Sequence, residues 1–279
     1  MCSYAYYNGE FGKREDISIP LSDRSIFFGD AIYDAAIGSY DRILWESEHI
    51  DRFLKNAERI GINHNFTKEY LSALLREIAV KSMIKTYFLY FQLSRTLPQR
   101  VHSGKNCGTS LLITVDPITI DKNPPPLNLI TVKDQRYDYC DIKTINLLPS
   151  VLAATEADFR DCDEAVFIKN EIVTECSKSN ISIINQGRVI THPTNSKILP
   201  GIARAHLIKK CYELNIPFIE KPFTKEEMLG AEEILVTSTT KLCRTVSLID
   251  GLAVGGGNSP LSHLLCTKLY REFADFCQI

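Results

Sequence analysis

The chain has 279 residues, 44% of them hydrophobic and 24% charged, with a formal net charge of −2. That balance suits a globular protein with a sizeable core, and the length favours two domains of ordinary size. A near-neutral charge with scattered basic residues leaves no footprint for nucleic acid, and no apolar run approaches the roughly 18–20 residues of a membrane span. The start, Met1-Cys2-Ser3-Tyr4, lacks a basic-then-apolar leader, so a cytoplasmic protein is expected. Nine widely spaced cysteines form no C-x-x-C and no Cys/His cluster at zinc spacing. They are expected to be small hydrophobes in a reducing compartment, with neither metal nor disulfides.

In chain order, Asn8-Gly9 marks the turn of an opening hairpin over 6–11. Strands are expected over 31–37 and 43–45. Ser47 is placed to N-cap a helix in which Ile50, Phe53, Leu54, Ala57 and Ile60 keep the 3.6-residue period and which Gly61 ends. Thr67 caps the next helix, with Leu71, Leu74, Leu75, Ile78 and Ala79 turned inward. Strands at 87–94 and 109–115 flank a loop, residues 95–108, that carries three basic side chains and His102. Such a loop is either solvated or an anion clamp. Pro124-Pro125-Pro126 cannot continue a helix or a central strand, which places a linker at 119–128 between domains at 1–118 and 129–279.

In the second half a strand is expected at 129–133. Residues 139–149, Y-C-D-I-K-T-I-N-L-L-P, then put Lys143 where an extended approach gives way to an apolar helical stripe of Ile145, Leu147, Leu148, Val151 and Leu152. A lysine at the edge of a buried helix must find a partner or lose its charge. Further strands are expected at 164–169, 180–185 and 189–191. A helix opens in Ile198-Leu199-Pro200-Gly201-Ile202-Ala203-Arg204 and runs to about Leu214. Thr224 and Glu227 have capping-box spacing, and a buried strand at 233–237 ends in Ser238-Thr239-Thr240. Asp250-Gly251 is a hairpin turn, and a flexible glycine loop at 255–257 precedes a last helix over 260–276.

Two of these places suit a phosphate. Pro200-Gly201-Ile202-Ala203 combines close backbone approach with free N–H groups at a helix start, and Ser238-Thr239-Thr240 offers hydroxyls at a strand end. Arg52 could add charge. Glu175 lies between an apolar strand and a small-residue run, and if buried it needs a cationic partner. There is no P-loop, no dinucleotide fingerprint and no G-x-S-x-G elbow; S-x-x-K at 82–85 lacks its companion motifs.

Taken together, G-D-A-I-Y-D (29–34), E-H-I-D-R-F (48–53), C-D-I-K-T-I-N-L-L (140–148), V-T-E-C-S-K-S-N (173–180), I-L-P-G-I-A-R (198–204) and V-T-S-T-T (236–240) resemble, in order and spacing, the fold-type IV pyridoxal-phosphate-dependent aminotransferases. The resemblance runs nearly end to end and is strongest to the D-amino-acid (D-alanine) aminotransferases, through Arg100-x-His102 and Tyr33. It implies a mixed α+β fold with a small N-terminal α+β domain and a larger pseudobarrel C-terminal domain, a homodimer, and pyridoxal 5'-phosphate as cofactor. By the same resemblance Lys143 carries the cofactor as a Schiff base, Arg52 binds phosphate and Glu175 faces the pyridine nitrogen. Leu199 packs on the ring, while Ile202, Ala203, Ser238 and Thr239 complete the phosphate cup. Tyr33 with Arg100 and His102, these two reaching over from a partner subunit, holds the substrate carboxylate. The implied substrates are a D-amino acid (alanine, glutamate or aspartate) and a 2-oxo acid. 4-Amino-4-deoxychorismate lyase and a branched-chain-type aminotransferase are the alternatives. Ala203 stands where the family usually has threonine, and Lys178 brings a cation after Glu175.

Overall fold

A computed structural model describes residues 3–255 and 259–278. Its contacts divide the chain into two compact units. The first runs from the N-terminus to Ile120 and includes Ile142–Asn146 and the chain from Phe276 on; the second holds Asp121–Asp141 and Leu147–Asp275.

The first unit contains β1 (Tyr4–Tyr7), β2 (Glu10–Lys13), α1 (Ser25–Phe28), β3 (Ala31–Ser39), β4 (Arg42–Ile43), α2 (Glu46–Arg59), α3 (Lys68–Ser82), β5 (Thr86–Thr96) and β6 (Gly108–Pro117). Its six strands form one antiparallel sheet in the order β2-β1-β6-β5-β3-β4. The Asn8-Gly9 turn joins β1 to β2 with positive φ at both residues, as a two-residue hairpin demands. Ile50, Phe53 and Ala57 of α2 and Leu71, Leu75 and Ile78 of α3 pack with Ile32, Ala36, Leu89 and Phe91 of the sheet into one buried cluster. Removing a side chain such as Phe53 from water contributes about 1.5–3 kcal/mol. Thr67 caps α3 as expected, accepting from the Tyr70 N–H at 3.2 Å. Ser47 does not cap α2. The helix starts two residues earlier, at Glu46, behind Trp45 in a left-handed conformation, and the Ser47 hydroxyl instead accepts from Lys68 Nζ at 2.8 Å.

The second unit contains β7 (Leu127–Lys133), α4 (Leu148–Phe159), β8 (Glu164–Lys169), β9 (Ile172–Cys176), β10 (Asn180–Asn185), β11 (Arg188–Thr191) and α5 (Ile202–Glu213). It continues with β12 (Phe218–Glu220), α6 (Lys225–Leu229), β13 (Glu233–Ser238), β14 (Leu242–Ile249), β15 (Leu252–Ala253) and α7 (Pro260–Cys277). The strands form one sheet in the order β12-β11-β10-β13-β14-β7-β8-β9, with β15 beside β14. The pairs β11/β12, β14/β7 and β7/β8 are parallel and the rest antiparallel. Leu129, Val166, Ile181, Ile183, Ile234, Val236 and Val246 form its buried centre. The capping box forms as its spacing predicts: Thr224 Oγ1 accepts from the Glu227 N–H and Glu227 from the Thr224 N–H. The glycine loop expected at 255–257 lies outside the described residues apart from Gly255.

One expectation is reversed in this unit. The apolar stripe after Lys143 is not buried: Leu148, Val151 and Leu152 of α4 are 67%, 54% and 59% exposed, and only Ala153 and Ala157 turn inward. The helix seats its small side chains on β8 and presents its large ones outward. Among the described residues no helix is long and apolar enough to cross a membrane.

Candidate active site

In the first unit the strand β3 organises the chemistry. Its period-2 alternation puts Tyr33 on one face and Asp34 on the other. Residues 142–146 run along the free edge of its N-terminal half: the Tyr33 N–H donates to the Lys143 carbonyl at 2.9 Å, the Ile145 N–H donates to the Ala31 carbonyl at 3.3 Å, and Thr144 bridges Ile32. Gly29 precedes the strand with φ +61, and the Asn146 amide, bonded to the Gly29 carbonyl at 2.9 Å, occupies the place of a side chain there. Lys143 is therefore fixed through its backbone. Its ammonium lies 4.4 Å from the Tyr33 ring centre, and Tyr33 stacks on Tyr90 at 5.3 Å. The Lys143 side chain is half-buried.

Asp34 is wholly buried and accepts from Arg52 twice, Nε to Oδ2 and Nη2 to Oδ1, each at 2.8 Å. His49 Nδ1 and the Ala35 N–H also reach Oδ1, at 2.8 and 2.7 Å. Burial works to raise the Asp34 pKa, but the charges of Arg52 and then His49 hold it well below the ordinary carboxylate range. Burial pushes the His49 imidazole down against the pull of Asp34. Arg52 is thus an oriented guanidinium with its side chain 12% exposed.

Arg100 and His102 gather elsewhere in this unit, on the Phe28 ring, at 4.9 and 5.2 Å from its centre. Both are exposed. A cavity of about 520 Å³ opens beside them, with His102, Arg95, Thr144 and Asn146 among its lining residues. It places the loop of residues 97–107 and the residues that follow Lys143 on the same space.

In the second unit the focus is the end of β10. Glu175, 5% exposed, accepts at Oε1 from Arg136 and at Oε2 from Asn180 Nδ2 at 2.9 Å and the Leu199 N–H at 3.1 Å. The same Asn180 amide donates to the Leu199 carbonyl at 2.9 Å. Arg136 completes a buried network with Asp134 at 2.8 Å and lies 4.3 Å over Phe167. Gly201 then N-caps α5 with no side-chain cap, and a Cβ there would collide with the Asn180 side chain. The first-turn residues Ile202 and Ala203 are buried. Asn180 pairs with Thr237 across the sheet, so Ser238 and Thr239 follow at the same end, and Ser238 Oγ accepts from the Lys241 N–H at 3.2 Å. Lys178 is exposed, its N–H bonded to Glu164 at 2.6 Å. Lys241 is a second part-buried cation of this unit beside Arg136, 2.8 Å from the fully buried Glu164.

Asp34, Arg136, Asn180 and the Glu164–Lys241 pair carry this geometry, yet the sequence reading passed over them. Asp34 and Asn180 lie within the family-like stretches 29–34 and 173–180, and Asp34 is besides an acid in an apolar strand; Arg136, Glu164 and Lys241 leave no local signal.

The amino-transferase class IV family model matches residues 32–249. The chain belongs to the class IV aminotransferases. It is 34% identical over 269 residues to a D-alanine aminotransferase of Bacillus licheniformis, covering 94% of both chains. A branched-chain aminotransferase of Thermoproteus uzoniensis with norvaline shares the fold at TM-score 0.90 and 22% identity, over 99% of this chain and 97% of the other. So does a putative 4-amino-4-deoxychorismate lyase of Legionella pneumophila, at 0.85 and 23%, over 92% and 96%. The two-domain fold-type IV architecture is therefore that of this aminotransferase, and the enzyme is pyridoxal-phosphate-dependent. Its donor set suits that group: a primary amine on a fixed backbone, an uncapped helix start beside hydroxyls for an anion, and a fixed buried carboxylate.

Proposed function

We propose that this enzyme exchanges an amino group between a D-amino acid, with D-alanine foremost and D-glutamate or D-aspartate as further substrates, and a 2-oxo acid. The observation that carries the reading is the Arg100-x-His102 pair: an exposed guanidinium for which no carboxylate partner is found among the described residues, held over Phe28 beside a cavity. A planar guanidinium with free N–H groups accepts a carboxylate in bidentate fashion, and an imidazole adds a second donor. The likeness to D-alanine aminotransferases over 94% of the chain supports the same substrate class.

Bound pyridoxal phosphate supplies an electron sink that makes the substrate Cα–H acidic. In this reading Arg52, Ile202, Ala203, Ser238 and Thr239 bind the phosphate, Ala203 through its N–H alone. Leu199 would lie against the ring, and Glu175, held by Arg136 and Asn180, would favour the protonated ring nitrogen. Lys143 is the attachment point and the base that takes the Cα proton and returns one. Tyr33, Arg100 and His102 fix the carboxylate, which leaves one hand at Cα able to present its hydrogen to Lys143.

We further propose a homodimer in which Arg100 and His102 serve the partner's substrate, with the exposed apolar face of α4 as a contact surface. A cytoplasmic location accords with eight described cysteines that are all free thiols. The deciding assay is ping-pong turnover of D-alanine with 2-oxoglutarate, abolished in Lys143→Ala together with the visible absorption of the bound cofactor. Turnover of L-amino acids only, or release of 4-aminobenzoate from aminodeoxychorismate without an amino acceptor, would overturn the reading.

A further inference from the structure

Arg100 and His102 lie on a segment, residues 97–107, with no helix or strand of its own. Two side chains meant to meet a carboxylate in fixed geometry need that segment held. The chain holds it with Arg24, whose side chain is 4% exposed. Its Nε donates to Asp30 at 2.8 Å, while its two terminal nitrogens donate to the carbonyls of Val101 and His102, the latter at 2.9 Å. The guanidinium also lies 4.6 Å over Phe28, the ring on which Arg100 and His102 rest. The Arg24 N–H donates to the Arg95 carbonyl at 2.9 Å, tying this anchor to β5, where the loop begins.

We infer that Arg24 is a positioning residue for the substrate carboxylate: it fixes the backbone of residues 101–102 and the ring beneath them, and thereby aims Arg100 and His102. The inference rests on the reading of Arg100 and His102 as the carboxylate clamp. The division of labour follows from charge. Arg24 shares Asp30 with Arg95 and is committed to three acceptors, so Arg100 is left as the cation on the Phe28 platform with N–H groups for a substrate. Lysine cannot replace this anchor, because a single ammonium on a flexible stem does not span a carboxylate and two successive carbonyls in one plane.

The test uses the holoenzyme and four variants: Arg24→Met, Arg24→Lys, Arg100→Met and Arg24→Met/Arg100→Met. Both Arg24 variants should raise KM for D-alanine and for 2-oxoglutarate about 10- to 100-fold, with kcat within about threefold, since only the carboxylate grip is misaligned. The absorption spectrum and Kd of the cofactor should match wild type, a combination that general loss of structure would not give. The double variant should have a KM well below the product of the two single effects, because the part of Arg24's action that runs through Arg100 is already removed and only the part through His102 remains. Should Arg24→Met fail to fold, Arg24→Lys, which keeps the charge opposite Asp30, carries the same comparison. Wild-type KM in the Arg24 variants beside a raised KM in Arg100→Met refutes the positioning role, and so do additive effects in the double variant. Unchanged KM in Arg100→Met refutes the clamp itself, and the role of Arg24 falls with it.

Discussion

Asp34→Asn replaces the buried carboxylate at the centre of the Arg52–His49 cluster with a neutral amide of the same shape. Wild-type Asp34 accepts four hydrogen bonds, two of them charge-assisted from one guanidinium. Breaking one partner of a buried ion pair costs about 3–5 kcal/mol because the other charge stays desolvated. Arg52 keeps some access to water, its side chain being 12% exposed, so the lower end applies: about 3 kcal/mol, a factor of roughly 100 in the unfolding equilibrium. Urea titration followed by tryptophan fluorescence reads the first unit, because Trp45, the chain's sole tryptophan, lies beside α2. The pH dependence carries a second signature. The folded pKa of Asp34 is lowered, so its contribution is complete above the unfolded value of about 3.9 and is lost as pH falls through the folded value. Wild type should therefore lose stability on acidification below about pH 4, and Asp34→Asn should lack that part of the slope. Wild-type stability at neutral pH in the variant, to within about 0.5 kcal/mol, would show that the cluster does not hold Arg52 as described.

Three other outcomes follow from the second unit. Ala203→Thr should tighten cofactor binding by about fivefold, one added hydroxyl contact being worth about 1 kcal/mol, as measured by absorbance titration of the apoenzyme. Arg136→Met leaves Asp134 and Glu175 buried without their cation and should destabilise the protein by about 3–5 kcal/mol in chemical denaturation, more than Arg136→Lys does. Val151→Glu places a charge on the exposed apolar face of α4; if that face joins the proposed homodimer, light scattering should show dimer for wild type and monomer for the variant, with thermal stability of the monomer little changed.

Local signals were legible in the sequence wherever the physics is local. The Asn8-Gly9 turn, the Thr67 cap, the Thr224–Glu227 box and the period of α2 each depend on neighbours within four residues. The exposed stripe of α4 misled because the same apolar pattern serves a core face and an outward surface; only packing against β8 distinguishes them. β14 was not delineated, since its burial follows no two-residue alternation. The residues that the family pattern marks were readable as candidates, but the side chains that hold them were not. Arg136 lies 39 residues from Glu175, and Lys241 lies 77 from Glu164, separations at which spacing carries no information.

The five residues that bring Lys143 to the edge of β3 set an order on how this protein is made. Residues 1–120 emerge from the ribosome with the Ala31–Tyr33 edge of their sheet unpaired, and 21 further residues must follow before Ile142–Asn146 can cover it. An open strand edge is a template for pairing with other chains. A fragment ending at residue 120 would therefore lack Lys143 and expose the edge that residues 142–146 normally close. Arg42, moreover, waits for the Phe276 carbonyl at the far end of the chain. The first unit therefore begins to form early and is completed only when residues 142–146 and Phe276 have joined it.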